Sequence, residues 1–215
     1  MEVFDYRTDI RNIFVTPEMR ARFIRRTPGT ASAAGAGHTH DLGHEIFLVL
    51  EGQAELTIEG ETAILGPGQC AIARADQWHS IRAYGDVPLT YYLSVTPHIE
   101  PTHTHWDQPG GNKLPYRYGE STREERRART EPPEPPATLL ARHVAASYTL
   151  ADAATKNAEA QDEAATALQV GLAAGDTAKA REAIDAMWQS LYTTYKQLQA
   201  LEHTWNALAP TAAGE

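Results

Sequence analysis

The chain has 215 residues, 42% of them hydrophobic, and a formal net charge of −9 at pH 7. Such a length holds one large domain or a domain with an extension. The acidic balance excludes the broad electropositive surface that grips a phosphate backbone, so no nucleic-acid partner is expected. No stretch reaches the roughly 18 consecutive apolar residues of a membrane span, and no membrane partner is expected either.

The N-terminal stretch MEVFDYRTDIRNIFV has acids early and no unbroken apolar run, so it does not read as a secretory signal. Cys70 is the single cysteine and cannot form an internal disulfide. A cytoplasmic protein is expected, with Cys70 as a small buried residue in a strand. From Arg20 to about Pro97 the hydrophobic pattern has period two, broken by glycine and proline. An early strand carries Arg20, Arg22, Arg25 and Arg26, which read as a solvated face. EIFLVL (45–50) is apolar on both sides, with Phe47 and Val49 on one and Ile46, Leu48 and Leu50 on the other, so a second subunit or the C-terminal helices should cover its outer face. AELTIEGETAIL (54–65) is a hairpin turning at Glu59-Gly60. GPGQ (66–69) and YGDVP (84–88) are further turns, each leading into a strand. In LTYYLSV, Tyr91 is in phase with Leu89, Leu93 and Val95 and should face inward. Many short strands at regular spacing imply a sandwich or barrel over residues 1–118, including an N-terminal arm.

Residues 119–136, with ESTREERRARTEPPEPP, are charged and then proline-rich, which reads as a semi-rigid linker. Beyond them the period becomes helical. Residues 137–209 read as an αα-hairpin, with Gly175 as the stop and Asp176 or Thr177 as the next cap. In the second helix Ile184, Trp188, Leu191, Tyr195, Leu198 and Trp205 form an apolar stripe, for which Ala151, Ala154, Ala158 and Ala165 of the first helix are the expected cover. A homodimer is expected, with the helices in its interface.

The chemistry concentrates in HTHDLGHE (38–45). His38 and His40 are two apart, so on a strand both imidazoles leave one face, with Cα atoms roughly 7 Å apart. Glu45 is an odd number of residues further on and would face the other way on an unbroken strand; the intervening Asp-Leu-Gly permits a bend that brings it inward and turns His44 out. His79 shares a face with Ile81 by alternation on another strand and can supply a fourth ligand.

These residues carry a resemblance. His38, His40, Glu45 and Gly52, then Pro67-Gly68 and His79, resemble the two conserved stretches of the cupin superfamily, over about residues 15–100. Departures from the family pattern are Ser32 where a glycine is usual, with Gly35 and Gly37 nearby, Trp78 directly before the histidine, and Arg82-Ala83 where an asparagine often follows. The resemblance implies a mainly β fold, a double-stranded β-helix or jelly-roll barrel, here followed by the α-helical hairpin. It implies one divalent transition metal ion held by His38, His40, Glu45 and His79. Three imidazoles and a carboxylate suit iron, manganese, nickel, copper or zinc and leave positions open for a small-molecule substrate.

The expected function is that of a metal-dependent enzyme on a small oxygen-rich substrate, of dioxygenase (oxidoreductase) or isomerase/lyase type, with Phe47, Val49, Ile81 and Tyr91 shaping the pocket and Glu45 able to shuttle a proton. The alternative is a non-catalytic ligand- or metal-sensing barrel whose tail mediates assembly. A second HTH at 103–105, with His98 before it, has no glutamate at the matching interval, so hydrogen-bonded or solvated loop histidines are expected there ahead of a second metal site; the alternative is a segment folded over the mouth that offers His98, His103 or His105 as an acid or base beside the ion.

Overall fold

The computed structural model describes residues 1–29 and 37–213; Ser32 and Gly35 lie outside them. The chain divides into two units, Met1–Pro132 with Ala209–Glu215, and Pro133–Leu208.

Among the described residues the first unit contains ten strands: β1 (Asn12–Val15), β2 (Arg20–Arg26), β3 (His38–Thr39), β4 (His44–Glu51), β5 (Gln53–Ile58), β6 (Glu61–Leu65), β7 (Cys70–Ala73), β8 (His79–Tyr84), β9 (Leu89–Thr96) and β10 (Thr104–His105). They form two antiparallel five-stranded sheets, ordered β1-β2-β9-β4-β7 and β10-β3-β8-β5-β6. This is the jelly-roll arrangement, mainly β with a helical tail. The β5–β6 hairpin turns at Glu59 and Gly60, with φ of 49° and 84°, the two positive angles that a right-twisted two-residue hairpin needs. Between the sheets lie Phe47, Val49, Leu56, Ile81, Leu89, Tyr91, Leu93 and Val95, one face of each strand by strict alternation. Tyr91 faces inward as its phase predicts.

The arginines of β2 do not form a solvated face. The β2–β9 register sets Arg20 against Val95, Arg22 against Leu93 and Arg26 against Leu89. Cross-strand partners share a face, and those three are core residues, so Arg20, Arg22 and Arg26 project inward while Arg25 projects out. Arg20 is only 4% exposed, and Arg26 Nε donates to the Tyr91 hydroxyl at 3.0 Å. Sheet register, which local charge does not reveal, fixes the phase. Cys70 also departs from expectation: it lies in a strand but is exposed, because it pairs with Leu48 on the outer side of β4. The outward residues of β4, Ile46, Leu48 and Leu50, are half-buried.

The charged run after Gly119 contains a 3-10 turn (Glu120–Thr122) and a short helix, α1 (Arg123–Ala128). The second unit is the hairpin of α2 (Pro136–Ala173) and α3 (Thr177–Leu208). Gly175, at φ 65°, ends the first helix. The Asp176 carboxylate caps the second by accepting from Lys179 N at 3.1 Å.

The helices meet through small residues, and the aromatic stripe is not their seam. Ala153, Ala164, Gly171 and Ala183 are the buried positions besides Leu139, and a Cβ on Gly171 would sit 2.8 Å from Ala180 N. Trp188 is 52% and Tyr195 54% exposed. Ala151, Ala154 and Ala158 are exposed as well, and Ala165 is half-buried. Backbones this close leave no room for indole or phenol rings between them, so the large side chains turn to the other face. Among the described residues no helix is long and apolar enough to cross a membrane.

Candidate metal centre

β3 and β8 are neighbours, and His38 is the residue opposite His79. Gly37 permits this: a Cβ there would lie 2.0 Å from the carbonyl oxygen of His79, so any side chain would push β3 off β8. After His40 the Asp41–Gly43 bend returns the chain into β4. Gly43 packs where a Cβ would meet Val95 Cγ1 at 2.7 Å, and Glu45 enters opposite Val95, on the inner face. His44 turns out, exposed, with its Nδ1 accepting from Ala75 N at 2.9 Å. The bend thus corrects the odd spacing as expected.

The four side chains converge. Glu45 Oε2 lies 2.7 Å from His79 Nε2, 3.0 Å from His40 Nε2 and 3.8 Å from His38 Nε2. One ligand atom from each of the four lies within 4.8 Å of all the others. His40, Glu45 and His79 are almost fully enclosed, whereas the His38 side chain keeps 27% of its surface and marks the open side. Phe47, its ring centroid 5.7 Å from that of His79, is the apolar wall beneath.

Hydrogen bonding behind the rings determines what they present in front. His40 Nδ1 donates to the Thr102 carbonyl, and His79 Nδ1 donates to the Gln77 carbonyl at 2.9 Å. With Nδ1 as the donor, Nε2 of a neutral ring is a lone pair. Two such lone pairs then face the acceptor oxygen of Glu45, and the buried Nε2 of His38 points at the same oxygen with no hydrogen-bond partner. Acceptors facing acceptors need a cation, either a proton or a metal ion. Burial alone would raise the Glu45 carboxyl, but the His40 and His79 imidazoles outweigh it and hold Glu45 well below the usual carboxylate range. Burial, with His103 nearby, pushes His38 well below the ordinary histidine value. For His79 burial works against the charge, but the Glu45 hydrogen bond outweighs it and raises the imidazole. An ionised carboxylate and three inward imidazoles fit a divalent ion.

A second group stands beside the first. β10 pairs antiparallel with β3, His105 against His38 and Thr104 against Thr39. The two HTH tripeptides therefore run side by side. The His103 ring is 4.6 Å from that of His38 and 5.1 Å from that of His40. Burial lowers the His103 imidazole to about 4, even though Glu120 opposes the shift. Glu120 Oε2 lies 2.8 Å from His105 Nε2 and 3.6 Å from His103 Nδ1, and hydrogen bonding to these histidines holds its carboxyl far below the usual range. Sequence reasoning missed Glu120, which falls in the stretch read as a linker. His98 goes elsewhere: it is buried, with Nε2 2.8 Å from Ser121 Oγ, and Ser121 Oγ is in turn 3.0 Å from Thr102 Oγ1.

Of the pocket residues expected from sequence, Phe47, Val49 and Tyr91 are fully enclosed and Ile81 nearly so. A cavity of about 410 Å³ opens on the other side of β3 and β8, lined by Thr39, Glu59, Asp76, Trp78 and Trp106 among others. Of these, Thr39, Trp78 and Trp106 are the chain neighbours of His38, His79 and His105 and alternate with them.

Residues 23–96 match the family model of the Cupin domain. Over those residues, about a third of its length, the chain is similar to the cupins. The barrel is similar to many solved structures, among them three from bacteria. TT1209 from Thermus thermophilus is 24% identical, with a TM-score of 0.42, over 45% of this chain and 98% of that one. A double-stranded β-helix protein of Klebsiella pneumoniae is 23% identical, with a TM-score of 0.41, over 45% of this chain and 90% of that one. KdgF from Halomonas sp. is 23% identical, with a TM-score of 0.37, over 40% of this chain and 77% of that one. No curated protein matches the chain.

Proposed function

We propose that the cupin barrel is a metal-dependent enzyme that moves a proton on a small, oxygen-rich organic substrate, by isomerase or lyase chemistry. The observation that supports it is the set of imidazole nitrogens facing the Glu45 carboxylate with the His103 ring 4.6 Å from that of His38, where burial lowers the His103 imidazole to about 4. His38, His40, Glu45 and His79 would hold the ion, whether iron, manganese, nickel, copper or zinc. When bound, the ion supplies Lewis acidity to a carbonyl or carboxylate oxygen.

The chain's own residues do the rest. His103, in ring contact with His38 at the open side, takes the substrate proton, and Glu120 orients it. Glu45 stays ionised as a ligand. Phe47, Val49, Ile81 and Tyr91 keep that side of the barrel apolar and dry. Arg22, which projects inward, has its Nε buried with no hydrogen-bond partner, which favours a substrate carrying an anionic group. Exposed Ile184, Trp188, Tyr192, Tyr195 and Leu198 on α3 support homodimer assembly through the hairpin, in the cytoplasm.

Two measurements test this. Elemental analysis of untagged protein should find a transition metal in the four-ligand centre, lost from that centre in His40→Ala. Incubation with 1,3-diketones in deuterated water should show exchange of the acidic carbon-bound hydrogen without oxygen uptake, and His103→Ala should keep the first ion but lose exchange. Stoichiometric oxygen consumption would replace proton transfer with dioxygenase chemistry. Ligand binding without turnover would leave a sensing barrel.

A further inference from the structure

The same interior carries a second set of donors that the four-ligand centre does not use. β10 lies against β3 in a register that sets His105 opposite His38, and one step along the ladder brings His103 beside His40, their rings 5.1 Å apart. His103 and His105 are two residues apart, so both imidazoles leave one face, as His38 and His40 do on β3. Each pair has a carboxylate at hand. Glu45 serves the first, and Glu120, delivered by the 3-10 turn after Gly119, serves the second. A ligand atom from each of His103, His105 and Glu120 lies within 4.8 Å of the other two.

We propose that His103, His105 and Glu120 hold a second divalent transition metal ion beside the first, as a two-histidine, one-carboxylate site. It rests on the proposed reading for its neighbour but not for its own ligands. Two imidazoles and one carboxylate on one side of an ion form the facial set that leaves remaining positions open. Glu120 Oε2 is the oxygen shared by both histidines, while Oε1 faces the exposed guanidinium of Arg117 at 3.7 Å. The set is more open than the first centre. The side chains of His103, His105 and Glu120 are 16%, 12% and 29% exposed, against 2–3% for His40, Glu45 and His79 and 27% for His38. With three ligands instead of four, it binds its ion more weakly. Occupancy also takes up a lone pair of His103, so the one-ion form alone offers a free base, and excess metal suppresses proton transfer.

The probe is Zn(II) added to metal-stripped full-length protein, followed by calorimetry and by elemental analysis after dialysis. Wild type should bind two equivalents per chain in two steps of different affinity. Glu120→Gln, which keeps the shape of the side chain, and His105→Ala should each bind one, with melting temperatures in the metal-free state close to wild type. His40→Ala should lose the tight step and keep the weak one. A single equivalent in wild type overturns the second site and leaves the first standing. Two equivalents retained in both Glu120→Gln and His105→Ala overturn it too, by placing the second ion elsewhere. Loss of the weak step alone in His40→Ala would reverse the assignment of the two sites.

Discussion

His79 illustrates how much of the site rests on single atoms outside it. Its seat against β3 exists because Gly37 has no side chain, and the methyl group of alanine would fall on the His79 carbonyl. Forcing atoms into a filled position costs roughly 1–3 kcal/mol, and here the displaced strand carries His38. Gly37→Ala should therefore lower the melting temperature by several degrees and weaken metal binding together, read by calorimetry and by Zn(II) titration. A stable variant with wild-type affinity would show that β3 does not need that close approach.

His98 makes the opposite prediction, on stability alone. Burial, reinforced by Arg20, lowers its imidazole to about 3, whereas in the unfolded chain it titrates near 6.5. Between those values the unfolded state binds the proton and the folded state does not. Stability thus rises with pH across that window and is lost as pH falls from about 6.5 toward 3, by at most about 1.4 kcal/mol per pH unit for one such group. With chelator present, the urea midpoint should drop from pH 7 to pH 5 more steeply in wild type than in His98→Gln; parallel curves would contradict it. Legibility at this scale followed distance along the chain. His38, His40 and Glu45 were readable because three close positions and one bend determine their geometry. Glu120 was not, because its approach to His103 depends on where a 3-10 turn lands after a non-repetitive loop.

Among the elements, period two exposed the strands but not always their phase. LTYYLSV could be phased because four apolar residues alternate with polar ones. RARFIRR could not, because its inward residues are mostly arginines, and only pairing with β9 assigns them. The helices failed in a related way. The helical period, the stop at Gly175 and the cap at Asp176 are legible, but the aromatic stripe, expected at the seam because bulk usually goes inside, lies on the exposed face. Ala153, Ala164, Gly171 and Ala183 form the seam instead. Ala183→Leu should separate the helices and lower the melting temperature of the hairpin, since overpacking costs roughly 1–3 kcal/mol. Trp188→Ser on the exposed face should leave hairpin stability within about 0.5 kcal/mol of wild type and, if that face joins two copies, shift the protein toward monomer in light scattering. A destabilised Trp188→Ser and an unaffected Ala183→Leu would exchange the two faces.

For the whole molecule, the division into two units gives the hairpin a separable role. The first unit takes in both Met1–Pro132 and Ala209–Glu215, so the hairpin is inserted near the end of the barrel unit's chain. Its ends are adjacent: near the start of α2, His143 Nδ1 lies 3.0 Å from Thr204 Oγ1 near the end of α3. An insertion whose ends meet can be replaced by a short flexible bridge with little cost in loop closure, which grows only slowly with length. All the proposed ligands, from His38 to Glu120, precede the insertion, and none of the 76 residues of Pro133–Leu208 supplies a donor to either group. Exchanging 133–208 for a Gly/Ser bridge should therefore give a folded barrel with the metal stoichiometry of the full chain but the mass of a monomer in light scattering. Retained dimerisation would move assembly to the half-buried outer face of β4, with Ile46, Leu48 and Leu50. Loss of metal from a barrel that still melts cooperatively would mean that the centre needs the hairpin, and the insertion would then belong to the chemistry instead of the assembly.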